Sequence, residues 1–154
     1  MRHRIWQEPG DTTIKITCYA DESEETFASA NRSLLGEGRI DPAAEFLDTY
    51  DLASVLPQQT RFLDDCQLVG GIVLVNRDKA EARVLAALRA ERDKALVASD
   101  VLLLRAQESQ SPKAVAAVTT YRQKLRDLPD TADLSKLTLD ELAAYVPDLP
   151  SVPS

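Results

Sequence analysis

Apolar residues recur along this chain with two different periods, and the change between them divides it. Across residues 112–128, Ala114, Val118, Tyr121, Leu125 and Leu128 fall at the spacing of one helical face. Upstream, Leu85, Leu88, Ala95, Leu96, Leu102 and Leu103 make a similar face, interrupted by Arg92 and Ser99. Only the short polar break from Gln107 to Ser111 separates the two. A connection this short folds neighbouring helices back antiparallel. The pattern therefore predicts a helical hairpin whose arms, 84–104 and 112–128, pack face to face.

Nearer the start the period is two. Ile14, Ile16 and Cys18 alternate with polar residues, which predicts a half-buried strand within 12–20. A partner strand at Arg4 to Trp6 is expected across the turn Glu8-Pro9-Gly10-Asp11, with Trp6 in the core. Residues 21–35 read as a helix. Asp21, Glu22, Glu24 and Glu25 stand where the helix dipole favours acid, Phe27, Ala30 and Leu34 share one face, and Gly36 ends it. Asp41 followed by Pro42 predicts a short capped helix through Phe46 and Leu47, and 49–55 reads as an ambiguous strand closed by Pro57. Gly70-Gly71 predicts a tight turn between strands at 67–69 and 72–75.

Helix boundaries in the second half carry their own signals. Asn76 is expected to cap the long helix, and Ser111 with Pro112 to open the next. Pro129 is expected to end that helix at Leu128, because the residue before proline disfavours helical geometry. Thr138 and Glu141 have capping-box spacing, which predicts a last helix over 139–146 before Pro147. The tail 148–154, with Pro150 and Pro153, reads as extended or disordered, or as a segment that docks on a partner. The fold class expected is α+β: a small β-rich domain with short helices over 1–76, a long antiparallel helical hairpin over 77–129, and a C-terminal helix and tail over 130–154.

Ionisable groups gather along the hairpin. Arg92, Asp93, Ser99 and Asp100 lie on the first helix, and Tyr121, Arg122, Arg126 and Asp127 on the second. Arg122 and Arg126 are one turn apart, so a carboxylate across the seam is placed to bridge them. The favoured pair is Asp100 with Arg122, with the Tyr121 hydroxyl nearby. Such a pair sets register more than it adds stability. The alternative reading leaves the same residues as solvated flanks of an ordinary hairpin.

The same residues carry a resemblance. Arg92-Asp93-x-x-Leu96-x-x-Ser99-Asp100, followed by Tyr121-Arg122-x-x-Leu125-Arg126-Asp127-Leu128-Pro129, is similar to the pattern of bacteriophage tail assembly chaperones, a group related to tail-fibre assembly proteins. The similar region is about the second half of the chain. Val101 stands where members often carry Trp, and Pro112 is the only proline kept in the break. The resemblance implies a non-catalytic chaperone that binds a phage tail-fibre or tail subunit during assembly. It also allows an adaptor retained in the virion baseplate or fibre. It places Arg92, Ser99, Asp100, Tyr121, Arg122, Arg126 and Asp127 at the hairpin seam or the partner interface.

Composition narrows the function classes. Two cysteines far apart, Cys18 and Cys66, suit buried free thiols rather than a metal site, and the single histidine, His3, leaves little for triad chemistry. There is no glycine-rich phosphate loop. No enzyme activity, cofactor or metal is expected. No apolar run reaches a membrane-spanning length and the N-terminus lacks a signal peptide's apolar core, so a soluble protein of the host cytoplasm is expected. Charge is uneven. Residues 1–76 carry six basic and thirteen acidic side chains, 77–126 eleven and six, and 127–154 one and six. A basic hairpin admits a small nucleic-acid-binding regulator as a further alternative, but a net charge of −7 opposes phosphate.

Overall fold

A computed structural model describes residues 1–19, 29, 36 and 38–153. They belong to two compact units, Met1–Ala80 and Glu81–Ser154. The architecture is mixed α+β, with short antiparallel strands first, then two long helices packed together and a short C-terminal helix. Apart from Ser29, the helix expected over 21–35 lies outside the described residues.

In the first unit, β1 (Arg2–Gln7) is the centre of a three-stranded antiparallel sheet between β2 (Lys15–Tyr19) and β3 (Glu45–Thr49). The turn before β2 is held by the Asp11 amide donating to the Glu8 carbonyl at 3.0 Å, with Gly10 at φ +84°. Ile5 pairs with Ile16 on one side and Leu47 on the other, and is fully buried. It joins Cys66, Leu68 and Val73 in the core, with Leu47, Ile14, Leu52 and Val75 packed around them. Trp6 points to the other face of the sheet, as strand alternation requires. There its indole N–H donates to Thr17 Oγ1 at 3.1 Å, and the Lys15 ammonium sits 4.5 Å from the ring centroid. The core residue of β1 is thus Ile5 rather than Trp6. The two alternate on the strand, and the register with β2 and β3 puts Ile5 on the covered side.

Two further expectations are corrected. Residues through Phe46 and Leu47 form strand β3, not a capped helix. Asp41 Oδ1 does accept from the Ala43 amide at 2.7 Å, but that cap closes only a turn, because β1 offers a ladder to residues 45–49. The segment read as strand over 49–55 is instead the end of β3 followed by α1 (Leu52–Val55), which Asp51 caps. Next, a 3-10 helix (Thr60–Asp65) buries Phe62 and leads into the hairpin of β4 (Cys66–Val69) and β5 (Ile72–Val75). Gly70 and Gly71 turn it at φ +57° and +78°, the paired positive values of a type I′ turn. Gln7 Oε1 accepts from the Leu68 amide at 2.7 Å and so joins the two sheets.

The cysteines part company. Cys66 is fully buried, and burial, with Asp65 and Asp64 beside it, pushes its thiol pKa up. Cys18 is exposed rather than buried, because it lies toward the outer end of edge strand β2, with His3 Nδ1 at 3.3 Å from its sulfur. The native protein should therefore give one fast thiol with an aromatic disulfide reagent near neutral pH and a second only on unfolding. Cys18→Ser should remove the fast phase. A fast phase that survives it would mean that Cys66 is reachable.

The second unit is built on α2 (Arg77–Glu108) and α3 (Pro112–Thr131). Asn76 Oδ1 accepts from the Lys79 amide at 3.2 Å, and Ser111 Oγ from the Ala114 amide at 3.3 Å, so both helices start where their caps predict. Gln110, at φ 51°, turns the chain between them. The end of α3 differs from expectation: Pro129 lies inside the helix, which runs on to Thr131. Proline removes one backbone bond near a terminus, and its ring is buried there, which offsets the local preference. A 3-10 turn (Leu134–Lys136) then buries Leu134. The final helix, α4 (Leu139–Ala144), has the capping box in full and buries Leu142. The Thr138 amide and hydroxyl hold the Glu141 carboxyl below its ordinary pKa.

Candidate functional site

Ionisable residues of α2 and α3 meet at the hairpin seam. Its apolar frame comes from Val118, Tyr121, Leu125 and Pro129 on α3, all buried. On α2, from Glu81 onward, Val84, Leu88, Ser99 and Ala106 are buried. Ser99 therefore does not interrupt the apolar face. It is fully buried in it, with its hydroxyl donating to the Leu96 carbonyl at 2.6 Å. A hydroxyl satisfied by its own helix enters an apolar seam without an orphaned donor.

Arg122 reaches across to this spot. A single nitrogen, Nη1, lies 2.6 Å from Ser99 Oγ, 2.5 Å from Asp100 Oδ1 and 3.3 Å from the Leu96 carbonyl. That nitrogen has two hydrogens. They serve the two short contacts, and the carbonyl takes the weaker third place. The Arg122 side chain is only 17% exposed, whereas Asp100 is 60% exposed. The group thus ties a buried hydroxyl to a solvated carboxylate through one guanidinium, and it sets the axial register of α2 against α3. With Arg122 level with Ser99, antiparallel stepping carries Leu125 toward Ala95 and Leu96, and Val118 toward Leu102 and Leu103.

The remaining residues singled out in the sequence are not all brought here. The Tyr121 side chain is buried beside Arg122 in α3. Arg92 is half-buried, but its guanidinium bonds to the adjacent Asp93 at 2.9 Å and not to α3. Arg126 and Asp127 are exposed, and Asp127 accepts from Gln123 Nε2 at 2.7 Å along its own helix. Asp100 accordingly engages Arg122 and does not bridge it to Arg126.

The tail beyond α4 contributes a wall that periodicity had no means of placing. Pro150 to Pro153 line a groove of about 750 Å³ together with Ala116, Ala117, Thr120, Tyr121 and Lys124 of α3. Pro153 also borders a smaller cavity next to Ala106, Ala114 and Val118. A run such as Leu149-Pro150-Ser151-Val152-Pro153 has no helical or strand period. Its one signal was proline content, which favours an extended form with little entropy to lose on docking.

Sequence reasoning also missed two exposed apolar faces. On the β4–β5 hairpin, Val69, Ile72 and Leu74 point outward while Leu68 and Val73 point into the core. On α2, Val97, Val101 and Leu104 stand exposed. Strict alternation and the four-then-three spacing were the available signals. Among the described residues no group of His, Cys, Asp or Glu is arranged to hold a metal ion, and no helix is long and apolar enough to cross a membrane.

No curated protein and no solved structure matches this chain. Residues 85–151, which hold most of α2 together with α3, α4 and the first part of the tail, match the family model of the phage tail assembly chaperone protein, and that match supports a role for this chain in phage tail assembly.

Proposed function

We propose that the protein is a non-catalytic assembly chaperone that binds a phage tail-fibre or tail subunit in the host cytoplasm and releases it into the growing structure. The observation that carries this reading is the outer face of the β4–β5 hairpin. There Val69, Ile72 and Leu74 are 49, 60 and 47% exposed, side by side on a rigid two-stranded frame. Apolar side chains grouped this way mark a contact surface more often than an isolated exposed residue does. A subunit awaiting trimerisation or polymerisation carries the complementary liability, apolar or unpaired strand surface that aggregates unless covered. The seam residues Ser99, Asp100, Tyr121 and Arg122 serve the hairpin's geometry in this reading, and the exposed Arg126 and Asp127 meet the partner.

Co-expression with the neighbouring fibre or tail gene tests it. The client should be soluble and correctly assembled with this protein and aggregated without it. Ile72→Lys combined with Leu74→Lys should return it to the aggregated state while leaving the chaperone folded, since both positions are exposed. A client equally soluble and trimeric in the absence of this protein ends the chaperone reading, and stoichiometric retention in purified particles makes the protein an adaptor instead.

A further inference from the structure

The outer side of α2 carries a second apolar stripe that neither the hairpin seam nor the β4–β5 face uses. Val97, Val101 and Leu104 are 70, 51 and 58% exposed. Val101 follows the seam residue Ser99 by two positions, which at about 100° per residue puts it on the opposite side of the helix. The spacing continues at both ends. Lys94 lies one three-residue step before Val97, and Glu108 one four-residue step after Leu104, both exposed. The line Lys94–Val97–Val101–Leu104–Glu108 thus has coiled-coil spacing, apolar in the middle, with a cation at one end and an anion at the other.

A rod with that order complements itself only when reversed. Two parallel copies set Lys94 against Lys94 and Glu108 against Glu108. Two antiparallel copies related by a two-fold axis at Val101 set each Lys94 against the other copy's Glu108, and each Val97 against Leu104. The axis requires the two charges to be equidistant from Val101, and they are, each one heptad of seven residues away along the line. Asp100, beside the axis, already has its charge engaged by Arg122 at 2.5 Å. Lys94 is bonded at 2.6 Å to Glu91 of its own helix, an exposed pair that is exchanged at little cost.

We propose that this chain self-associates as an antiparallel two-fold dimer through the outer stripe of α2. Three apolar side chains per copy with their flanks reach only the lower end of stable interfaces, about 1,000 Å² in total. The dimer is therefore concentration dependent, with a dissociation constant on the order of micromolar. The proposal stands apart from the client reading, which uses the β4–β5 face, and either can fail alone.

Sedimentation equilibrium of the full chain tests it across roughly 1 to 500 µM, a range set around that affinity. A reversible monomer–dimer equilibrium is expected. Val101→Lys should abolish it, with the far-UV spectrum unchanged because the position is exposed. Lys94→Glu and Glu108→Lys should each weaken it by at least about tenfold at low salt, because the two-fold axis makes either variant lose both ion pairs and set like charges in their place. The double variant should restore it, since both charges exchange together. A chain monomeric throughout the range, or a dimer that survives Val101→Lys, overturns the interface. Single charge variants that leave the affinity unchanged, or a double variant no better than either single, overturn the antiparallel arrangement.

Discussion

Leu125→Ala should lower the stability of the helical unit by about 2–5 kcal/mol, read as an earlier urea midpoint of the far-UV signal. Leu125 is fully buried at the middle of α3, between the buried Tyr121 and Pro129. Removing its branched end takes away both the transfer energy of the lost carbons and the contacts around the space left behind. The neighbours have little room to collapse into that space, because Arg122 holds the two helices in register at three points on α2. Leu128→Ala, one turn end further on and only half-buried, should cost clearly less. Equal effects at the two positions, or a loss below about 1 kcal/mol at Leu125, would show that the seam is not packed as described.

Arg122→Ala should cost about 1–2 kcal/mol, and the partition of that loss is the informative part. The contact to Asp100 is an ion pair with a carboxylate 60% exposed, so water and salt screen it and it contributes under about 1 kcal/mol. The contact to Ser99 is a charge-assisted hydrogen bond to a fully buried hydroxyl and contributes more. Ser99 keeps its bond to the Leu96 carbonyl in the variant, so no buried donor is orphaned and the loss stays moderate. Asp100→Asn should therefore be milder than Arg122→Ala. Because one nitrogen makes all three contacts, Arg122→Lys should recover part of the loss, unlike a substitution at a two-pronged arginine site. If Asp100→Asn proves as damaging as Arg122→Ala, the exposed ion pair and not the buried hydroxyl holds the register.

Several features of this architecture rest on bonds that span four residues or fewer, and those were legible. Asn76, Ser111 and Thr138 each cap a helix within the next turn, and Gly70-Gly71 closes a hairpin on itself. The facing of Val118, Tyr121 and Leu125 follows from 3.6 residues per turn with no outside help. The candidate seam was legible to the same degree. Residue types placed Asp100 and Arg122 on adjoining helices and the resemblance put Ser99 at the seam or partner interface, but periodicity alone made that serine an interruption of the apolar face. The fate of a serine depends on whether its hydroxyl finds a carbonyl, and here the carbonyl was one turn back in its own helix.

What the amino-acid order determined unaided was the identity of the elements whose hydrogen bonds are local: the long helix, its partner, the loop that reverses them and the caps that start them. The tertiary structure alone decided which side of β1 is inside, that residues 45–49 extend into a strand, that Pro129 stays within its helix and where the proline tail lies. Each of these depends on groups far away in the chain. A strand takes its ladder from whichever neighbour the fold supplies, and an alternating pattern has no inside until something covers one face. Burial energy at Pro129 outweighs a local dihedral preference only once the surface that buries it exists.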